Sequence, residues 1–338
     1  MRILGTLIKL TILALVIFFV MYKYNVNTDV QVPEDTKKFV IEQGQSVSEI
    51  AKNLADQGLI KSEFWFKVFV KRAKEQANLQ AGEYVVDGKL DMKKMVEMLT
   101  AGDTVDQSKN YLIKEGLSNK EMTAELAKQD LPDCLPILSR SANSLGAEYQ
   151  VYDFLKEIPS GNDLEGFYFP DTYKIKNDAT CEDLVIKMLN NFEQKVTTEM
   201  RQEIKKQGKS LYQIITMASV LEKEVRSTED MKVVSGIFWN RIENGQPLQS
   251  CATLAYILGE NKPQYTIEDT KIDSPYNTYQ NQGLPPSPVS NPGLQAIEAA
   301  VYPTKTNYNY FLSRPDTGET VFSATYDEHL ENKAKYLD

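Results

Sequence analysis

Two acidic residues, Glu222 and Glu224, close a largely apolar stretch of the chain, LYQIITMASVLEKEV at positions 211–225. Apolar residues fall on nearly every face of this stretch, which predicts a helix buried inside a domain. The residues that share a helical face with Glu222 are apolar or small: Ile215, Ala218 and Ser219.

These neighbours would remove the Glu222 carboxyl group from water, and burial disfavours the anion. The pKa of the carboxyl group then rises, so that it stays protonated near neutral pH, as a general acid must. The alternative is that Glu222 and Glu224 are both solvated where a core helix meets water.

The composition of the chain limits which classes of function are possible. The chain has 338 residues, enough for about two domains, and its 42% hydrophobic and 25% charged content is that of a globular protein. A formal net charge of -9 argues against a nucleic-acid partner. The single histidine, His329, excludes a multi-histidine metal centre, and the absence of a CxxC motif argues against a zinc site. We predict that the chain requires no metal and no cofactor.

The cysteines Cys134, Cys181 and Cys251 are far apart in the sequence and odd in number. This spacing makes a disulfide framework or a zinc site an improbable interpretation, and it predicts ordinary buried thiols.

An apolar segment near the N-terminus, residues 3–22, is interrupted only by Lys9. As a helix it would span roughly 30 Å, the thickness of the hydrocarbon core of a bilayer. No small-residue cleavage site follows, so we expect an uncleaved single-pass anchor over residues 1–24 and a polar linker over 25–38. Arg2 and Lys9 favour a cytoplasmic N-terminus and an extracytoplasmic body at the plasma (inner) membrane.

The next segment, residues 39–104, is predicted to be a small βααβ module. Ser46 with Glu49 forms a capping-box pattern that opens one helix, Ser62 opens a second, and Asp91 caps a later helix that Gly102 ends. The phrase GQSVSEIA at positions 44–51 resembles a LysM-like module, which implies binding of glycans that contain N-acetylglucosamine.

The remaining residues, 105–338, are predicted to form a larger mixed α+β domain. Helices are expected at 180–192, 198–206, 229–243, 294–301 and 329–336. A strand pair is expected at 308–312 and 320–323, and a long loop rich in Gly, Pro, Asn and Tyr at 261–292. The predicted fold class is therefore α+β, with a transmembrane helix, the small module and this larger catalytic domain.

Five strings in this larger domain appear in the same order in the YceG-like (MltG) family of endolytic murein transglycosylases, and the chain resembles that family. The strings are LEGFYFPDTY (164–173), ASVLEKEV (218–225), FWNRIENGQPLQS (238–250), SPYNTYQNQGLPPSPVSNPG (274–293) and YDEHLENKAKYL (326–337).

The resemblance implies that Glu222 is the catalytic acid and that Glu224 lines or supports the site. It implies further substrate-binding groups: Asn240, Arg241, Gln249, Tyr276, Asn277, Tyr279 and His329. The competing interpretation is loop stabilisation for Asn240, Gln249, Tyr276, Asn277 and Tyr279. For Arg241 it is a salt-bridging role on its helix. For His329 we favour a structural role. Two positions depart from the family pattern, since Cys251 stands where an Asp is common and Leu330 where an Asn is common.

The implied reaction is lytic cleavage of the MurNAc-GlcNAc β-1,4 bond in nascent glycan strands, with 1,6-anhydro ends. One carboxyl group would suffice, because the substrate's own C6 hydroxyl replaces water as the nucleophile. A hydrolytic muramidase and a non-catalytic, membrane-tethered glycan-binding scaffold remain alternatives. The resemblance also implies partnership with peptidoglycan synthases (penicillin-binding proteins).

Overall fold

The computed structural model describes residues 2–32, 37–86, 88–102, 108–131, 134–176, 179–262 and 264–337. The chain divides into two compact units, Met1–Gln107 and Ser108–Asp338. The predicted boundary at Val105 lies outside the described residues, as does part of the predicted linker, residues 33–36.

The first unit is built from helices and short antiparallel strands. Its helices are α1 (Arg2–Asn27), α2 (Val47–Asp56), α3 (Glu63–Ala73) and α4 (Met92–Ala101). Its strands are β1 (Val30–Gln31), β2 (Lys37–Ile41), β3 (Gly82–Val86) and β4 (Lys89–Leu90). Strand β2 pairs with β3, and β1 pairs with β4.

The helix starts in this unit follow the predicted capping chemistry. The Ser46 side chain accepts a hydrogen bond from the Glu49 amide, and the Glu49 carboxylate accepts one from the Ser46 amide. Ser62 caps α3 and Asp91 caps α4, each through one hydrogen bond that its side chain accepts from a backbone amide. Such caps stabilise a helix by about 1 kcal/mol each, because they satisfy amides that have no partner inside the helix.

Helix α1 is the one helix among the described residues that is long and apolar enough to cross a bilayer. Its span Thr6–Asn27 has a mean hydropathy of 2.0, and its apolar side chains from Leu7 to Met21 are exposed. The helix continues three residues beyond the predicted anchor, and Tyr22 and Val26 near its end are buried. The adjoining strand β1 also lies within the predicted linker, so residues 25–31 have more regular structure than we expected.

The second unit is mainly helical, with two separate strand pairs. Its helices are α5 (Asn119–Lys128), α6 (Leu135–Leu138), α7 (Cys181–Lys195), α8 (Thr198–Lys206), α9 (Leu211–Glu224), α10 (Thr228–Glu243), α11 (Cys251–Leu258), α12 (Leu294–Val301) and α13 (Tyr326–Tyr336). The antiparallel pairs are β5 (Ser108–Leu112) with β6 (Thr172–Lys176) and β7 (Tyr310–Ser313) with β8 (Thr320–Ser323). Short 3-10 turns lie at 142–144, 147–149, 153–157 and 269–271.

Helix α9 is central to the second unit, as its apolar sequence predicts. Every residue from Leu211 to Leu221 except Gln213 is buried, and the helix packs against α10, α11 and α12. Each large apolar side chain buried there contributes roughly 1.5–3 kcal/mol. The mixed α+β class is confirmed, and the packing fixes the C-terminal end of α9 within the unit.

The prediction of unpaired thiols is wrong for two of the three cysteines. Cys134 and Cys181 form a disulfide with a Cα–Cα distance of 5.5 Å, across 47 positions of sequence. Cys134 lies at the start of α6 and Cys181 at the start of α7, and these helices pack together. Sequence spacing does not report such proximity. Cys251 is a free, exposed thiol.

Candidate active site

The last turn of α9 directs Glu222, Lys223 and Glu224 towards three different surroundings. Successive residues of an α-helix are rotated by about 100°, so their side chains leave the helix in different directions. The helix begins with a capping box at Ser210 and ends at Val225, whose backbone is extended. Its buried body therefore holds the three charged residues in fixed directions.

Glu222 lies where the buried helix meets two loops. Its Oε2 accepts a hydrogen bond of 2.9 Å from the backbone amide of Gly293, at the start of α12. Burial raises the pKa of Glu222 above its ordinary value, the Gly293 amide opposes this rise, and Glu115 adds to it. The carboxyl group is only partly exposed, so it combines a raised pKa with access to solvent.

Two glycines allow these loops to approach Glu222. Gly116 has a φ of +75°, which favours glycine, and a side chain there would stand 3.3 Å from Cγ of Glu222. At Gly293 the constraint is space, because a side chain would collide with the carboxylate of Glu115. The amide of Gly116 also donates to the carbonyl of Asn291, at 2.9 Å.

Asn291 joins the segments around Glu222. Its side chain is fully buried, and its Oδ1 accepts hydrogen bonds from the backbone amides of Gly166 and Tyr168. Its Nδ2 donates to the Leu117 carbonyl and to Oδ1 of Asn119. One side chain thus connects the LEGFYF segment with the loop that contains Gly116.

Lys223 faces a cavity beside the Glu222 turn. Its Nζ donates to the Gly116 carbonyl at 3.0 Å and lies 4.0 Å from a Glu121 carboxylate oxygen. The cavity has a volume of about 450 Å³, and α11, the start of α5 and the segment around Glu165 form its walls. This volume is sufficient for part of a sugar chain or another small polar ligand.

Glu165 is the most deeply buried carboxyl group in the cavity wall, with 3% of the residue exposed. It accepts hydrogen bonds from the Asn119 amide (2.7 Å) and the Tyr256 hydroxyl (2.6 Å). Burial raises its pKa to about 7, although both hydrogen bonds act in the opposite direction. Glu165 is therefore a carboxyl group that exchanges a proton near neutral pH.

Glu224 is directed to the start of α11 and away from Gly293. Its carboxylate accepts a hydrogen bond from the Ser250 hydroxyl and another, of 3.4 Å, from the amide of Ala252. Burial raises its pKa, and these donors counteract the rise. These contacts make Glu224 a support for α11.

Several residues that the sequence predicts for the site lie near Glu224. Arg241 donates to the carbonyls of Leu248 and Asn309, at 2.5 and 2.7 Å. Tyr279 shares a 3.2 Å hydrogen bond with the Cys251 thiol. Against the larger effect of burial, the positive charge of Arg241 lowers the pKa of Glu224. Burial lowers the pKa of Arg241, and Glu224 and Tyr279 oppose that shift.

Other predicted residues are held by loop contacts. The side-chain amide of Asn240 donates to the Thr306 carbonyl. Asn277 is fully buried, and its side chain bonds to the backbone of 270, 272 and 279. Tyr276 bonds to the Ser287 hydroxyl at 2.6 Å and packs against Tyr256 in the cavity wall.

Gln249 and His329 complete the predicted set. Gln249 is exposed, and its φ of +54° places it in the left-handed region. The ring of His329 stacks on Tyr310 with 5.2 Å between ring centroids, which agrees with the structural role favoured for it. Burial lowers the pKa of His329, and the positive charges of Lys333 and Arg241 lower it further.

Comparison with known proteins agrees with this architecture. The sequence profile of the YceG-like family matches residues 39–335. The chain belongs to the YceG-like family.

The relatives of this YceG-like chain include curated bacterial proteins. A Bacillus subtilis (strain 168) protein named endolytic murein transglycosylase is 34% identical over 321 residues, covering 90% of this chain and 87% of its own. A Streptococcus pneumoniae (strain D39) protein of the same name is 29% identical over 342 residues, covering 94% of this chain and 62% of its own. The crystal structure of a YceG-like protein from Listeria monocytogenes aligns with a TM-score of 0.59 and 32% identity, covering 89% of this chain and 100% of that one.

The structure of this YceG-like chain divides the predicted residues into two groups. Glu222 contacts the glycines of two loops, whereas the surroundings of Glu224 contain Arg241, Tyr279 and the free Cys251. Sequence reasoning missed the residues that surround Glu222 or line the adjoining cavity: Glu115, Gly116, Glu165, Asn291 and Gly293. Glu165, Asn291 and Gly293 belong to the five strings, so the signal was present. Their contacts with Tyr256, Gly166 and Glu222, respectively, cross more than 70 positions.

Proposed function

We propose that this chain is a membrane-anchored lytic transglycosylase that cuts within peptidoglycan glycan strands, with Glu222 as its general acid and base. One observation carries the proposal. Glu222 is a partly sheltered carboxyl group with a raised pKa at the end of a buried helix, and the next residue, Lys223, lines a cavity. The names of the relatives from Bacillus subtilis and Streptococcus pneumoniae support the substrate class.

In the proposed reaction, protonated Glu222 donates its proton to the glycosidic oxygen, and the bond between that oxygen and the anomeric carbon breaks. The C6 hydroxyl oxygen of N-acetylmuramic acid then bonds to the anomeric carbon, and the Glu222 carboxylate takes the hydroxyl proton. The products are a 1,6-anhydro end and a free 4-hydroxyl, and Glu222 returns to its protonated state. An intramolecular hydroxyl has a high effective molarity, so a water nucleophile is unnecessary.

The environment of Glu222 suits both halves of this cycle. Burial favours the protonated acid before cleavage, whereas the Gly293 amide stabilises the carboxylate that forms afterwards. The cavity beside Lys223 would hold sugar units next to the reacting bond. Among the predicted binding residues, exposed Gln249 is the one that we assign to direct sugar contact, and Asn277 and Asn240 would act by fixing their loops.

The experiment is digestion of purified glycan strands by the full-length chain in detergent, with mass analysis of the new ends. Glu222→Gln should lower cleavage by at least about 100-fold, the contribution of a general acid. Glu229→Gln, on the exposed first turn of α10, is the matched control and should retain activity. Reducing ends in place of anhydro ends would identify a muramidase, and an inactive wild-type chain that still binds glycan would identify a scaffold.

The proposed location is the plasma membrane, with a cytoplasmic N-terminus and an extracytoplasmic body. Helix α1 is compatible with a single-pass anchor. The disulfide between Cys134 and Cys181 supports an external body, because disulfides persist in oxidising compartments. We retain residues 39–104 as a LysM-like glycan-binding module and peptidoglycan synthases as partners within this proposal.

A further inference from the structure

We propose that Glu115 is an electrostatic positioning residue of the Glu222 site, whose negative charge acts on Glu222 and on the sugar cation that forms during cleavage. This inference rests on the proposed function and adds a second acidic group to it. Glu115 precedes Gly116 in the loop that follows β5 and lies far from Glu222 in the sequence.

The geometry brings both carboxyl groups into contact with one glycine, Gly293. The backbone amide of Gly293 donates to Oε2 of Glu222. The carboxylate of Glu115 lies directly against Gly293, in the space that a side chain at this position would occupy. Gly116 in turn lies against the Glu222 side chain, with 3.3 Å between Cγ and the position of a Cβ. Glu115 is exposed, so a bound substrate can reach its carboxylate.

Among the charged side chains near Glu222, Glu115 is the one that favours the protonated form of Glu222. Lys223, on the same helix, favours the carboxylate, and the Gly293 amide acts in the same direction. Lys223 is itself bound to the Gly116 carbonyl and approaches Glu121. Lys114, the chain neighbour of Glu115, pairs with Glu125 at 3.8 Å. Among the charged groups that perturb Glu222, Glu115 therefore opposes Lys223.

Two consequences follow from a negative charge at this position. First, it keeps Glu222 protonated to higher pH, because two neighbouring carboxylates repel each other. Second, it stabilises the oxocarbenium-like positive charge that glycoside cleavage creates at the anomeric carbon. The first consequence changes the pH dependence of the rate, and a purely structural role would not do so.

The test compares Glu115→Gln, Glu115→Asp and the wild-type full-length chain in detergent, by measuring kcat/KM on purified glycan strands from pH 4.5 to pH 8. Glu115→Gln should move the alkaline limb of the pH profile to lower pH and reduce the rate at pH 7 by roughly 10-fold. Part of the loss should recover towards the acidic end of the range, where Glu222 retains its proton more readily without the charge of Glu115. Glu115→Asp retains the charge and should restore much of the wild-type profile.

Glu229→Gln is the matched control, since it removes one exposed carboxylate from α10 in the same unit. It should leave the pH profile unchanged. An unshifted profile for Glu115→Gln would overturn the inference, as would an equal shift for Glu229→Gln. Failure of the wild-type chain to cleave glycan at any pH would instead refute the proposed function, so the two failures are distinguishable.

Discussion

At the scale of single residues, identical side chains on one helix acquire different chemistry from their surroundings. Glu222 accepts one backbone amide bond and is partly open to solvent, whereas Glu224 is bound to the first turn of α11. Burial raises the pKa of both. Position relative to the loops, rather than the raised pKa, distinguishes the proposed acid from the supporting residue.

The raised pKa of Glu165 predicts how the stability of the folded state depends on pH. Its folded-state pKa of about 7 lies above the ordinary 4.5, so the folded state binds more protons between these values and its stability falls as pH rises through this window. The expected loss is roughly 3 kcal/mol between pH 4.5 and pH 7, with little further change above. Asp163, whose pKa burial also raises, adds to the same slope.

Glu165→Gln should remove most of this slope. The measurement is urea unfolding of the second unit at several pH values. The fluorescence of Trp239 reports the unfolding, in a Trp65→Phe background that removes the other tryptophan. A slope as steep in Glu165→Gln as in the parent would contradict the assignment of the proton to Glu165.

At the scale of secondary-structure elements, loops complete the site and α9 provides its foundation. The loop after β5 supplies Gly116, and the loop before α12 supplies Gly293. Asn291 joins them to the LEGFYF segment through four side-chain hydrogen bonds. Such long-range polar connections fix a loop because leaving any of these buried groups unpaired is costly.

Asn291→Ala should therefore destabilise the second unit by about 3 kcal/mol or more and abolish glycan cleavage, because buried amides and carbonyls would lose their partner. Asn281→Ala is the matched control, from an exposed position in the same long loop. Its cost should stay below about 1 kcal/mol. Urea midpoints and cleavage rates measure both effects, and similar midpoints for the two variants would refute the connecting role of Asn291.

At the scale of the whole molecule, the apolar helix and the disulfide bear on the same question of compartment. Helix α1 leaves its apolar side chains from Leu7 to Met21 exposed, which suits a bilayer and not water. The Cys134–Cys181 disulfide belongs to an oxidising environment. The helix is compatible with a single-pass anchor, and the disulfide supports our proposal that the body lies outside the cytoplasm.

The prediction concerns the thiols of the chain isolated from cells. Alkylation under denaturing conditions should modify one thiol, Cys251, before reduction and three after it. Reduction should also destabilise the second unit by about 4 kcal/mol, because the bond closes a long loop in the unfolded chain. In a Cys251→Ser variant no thiol should react until reduction. Three reactive thiols in the unreduced wild-type chain would argue for a cytoplasmic body.

The sequence alone determined those parts of the protein whose physical cause is local. The bounds predicted for α8 and α12 agree with the structure, as does the capping box at Ser46, because helix propensity and capping act over a few residues. The apolar run of α9 likewise predicted its burial. Helix α11 was not predicted, since its eight residues are uniformly apolar and carry no clear period.

Only the tertiary structure decided which groups meet at the end of α9. The disulfide joins residues 47 positions apart, and Asn291 bonds to Gly166 across 125 positions. The separate directions of Glu222 and Glu224, and the approach of Glu115 to Gly293, depend on how loops pack on a helix. Spacing along a chain contains no record of such packing, because contacts between distant residues follow from the fold as a whole.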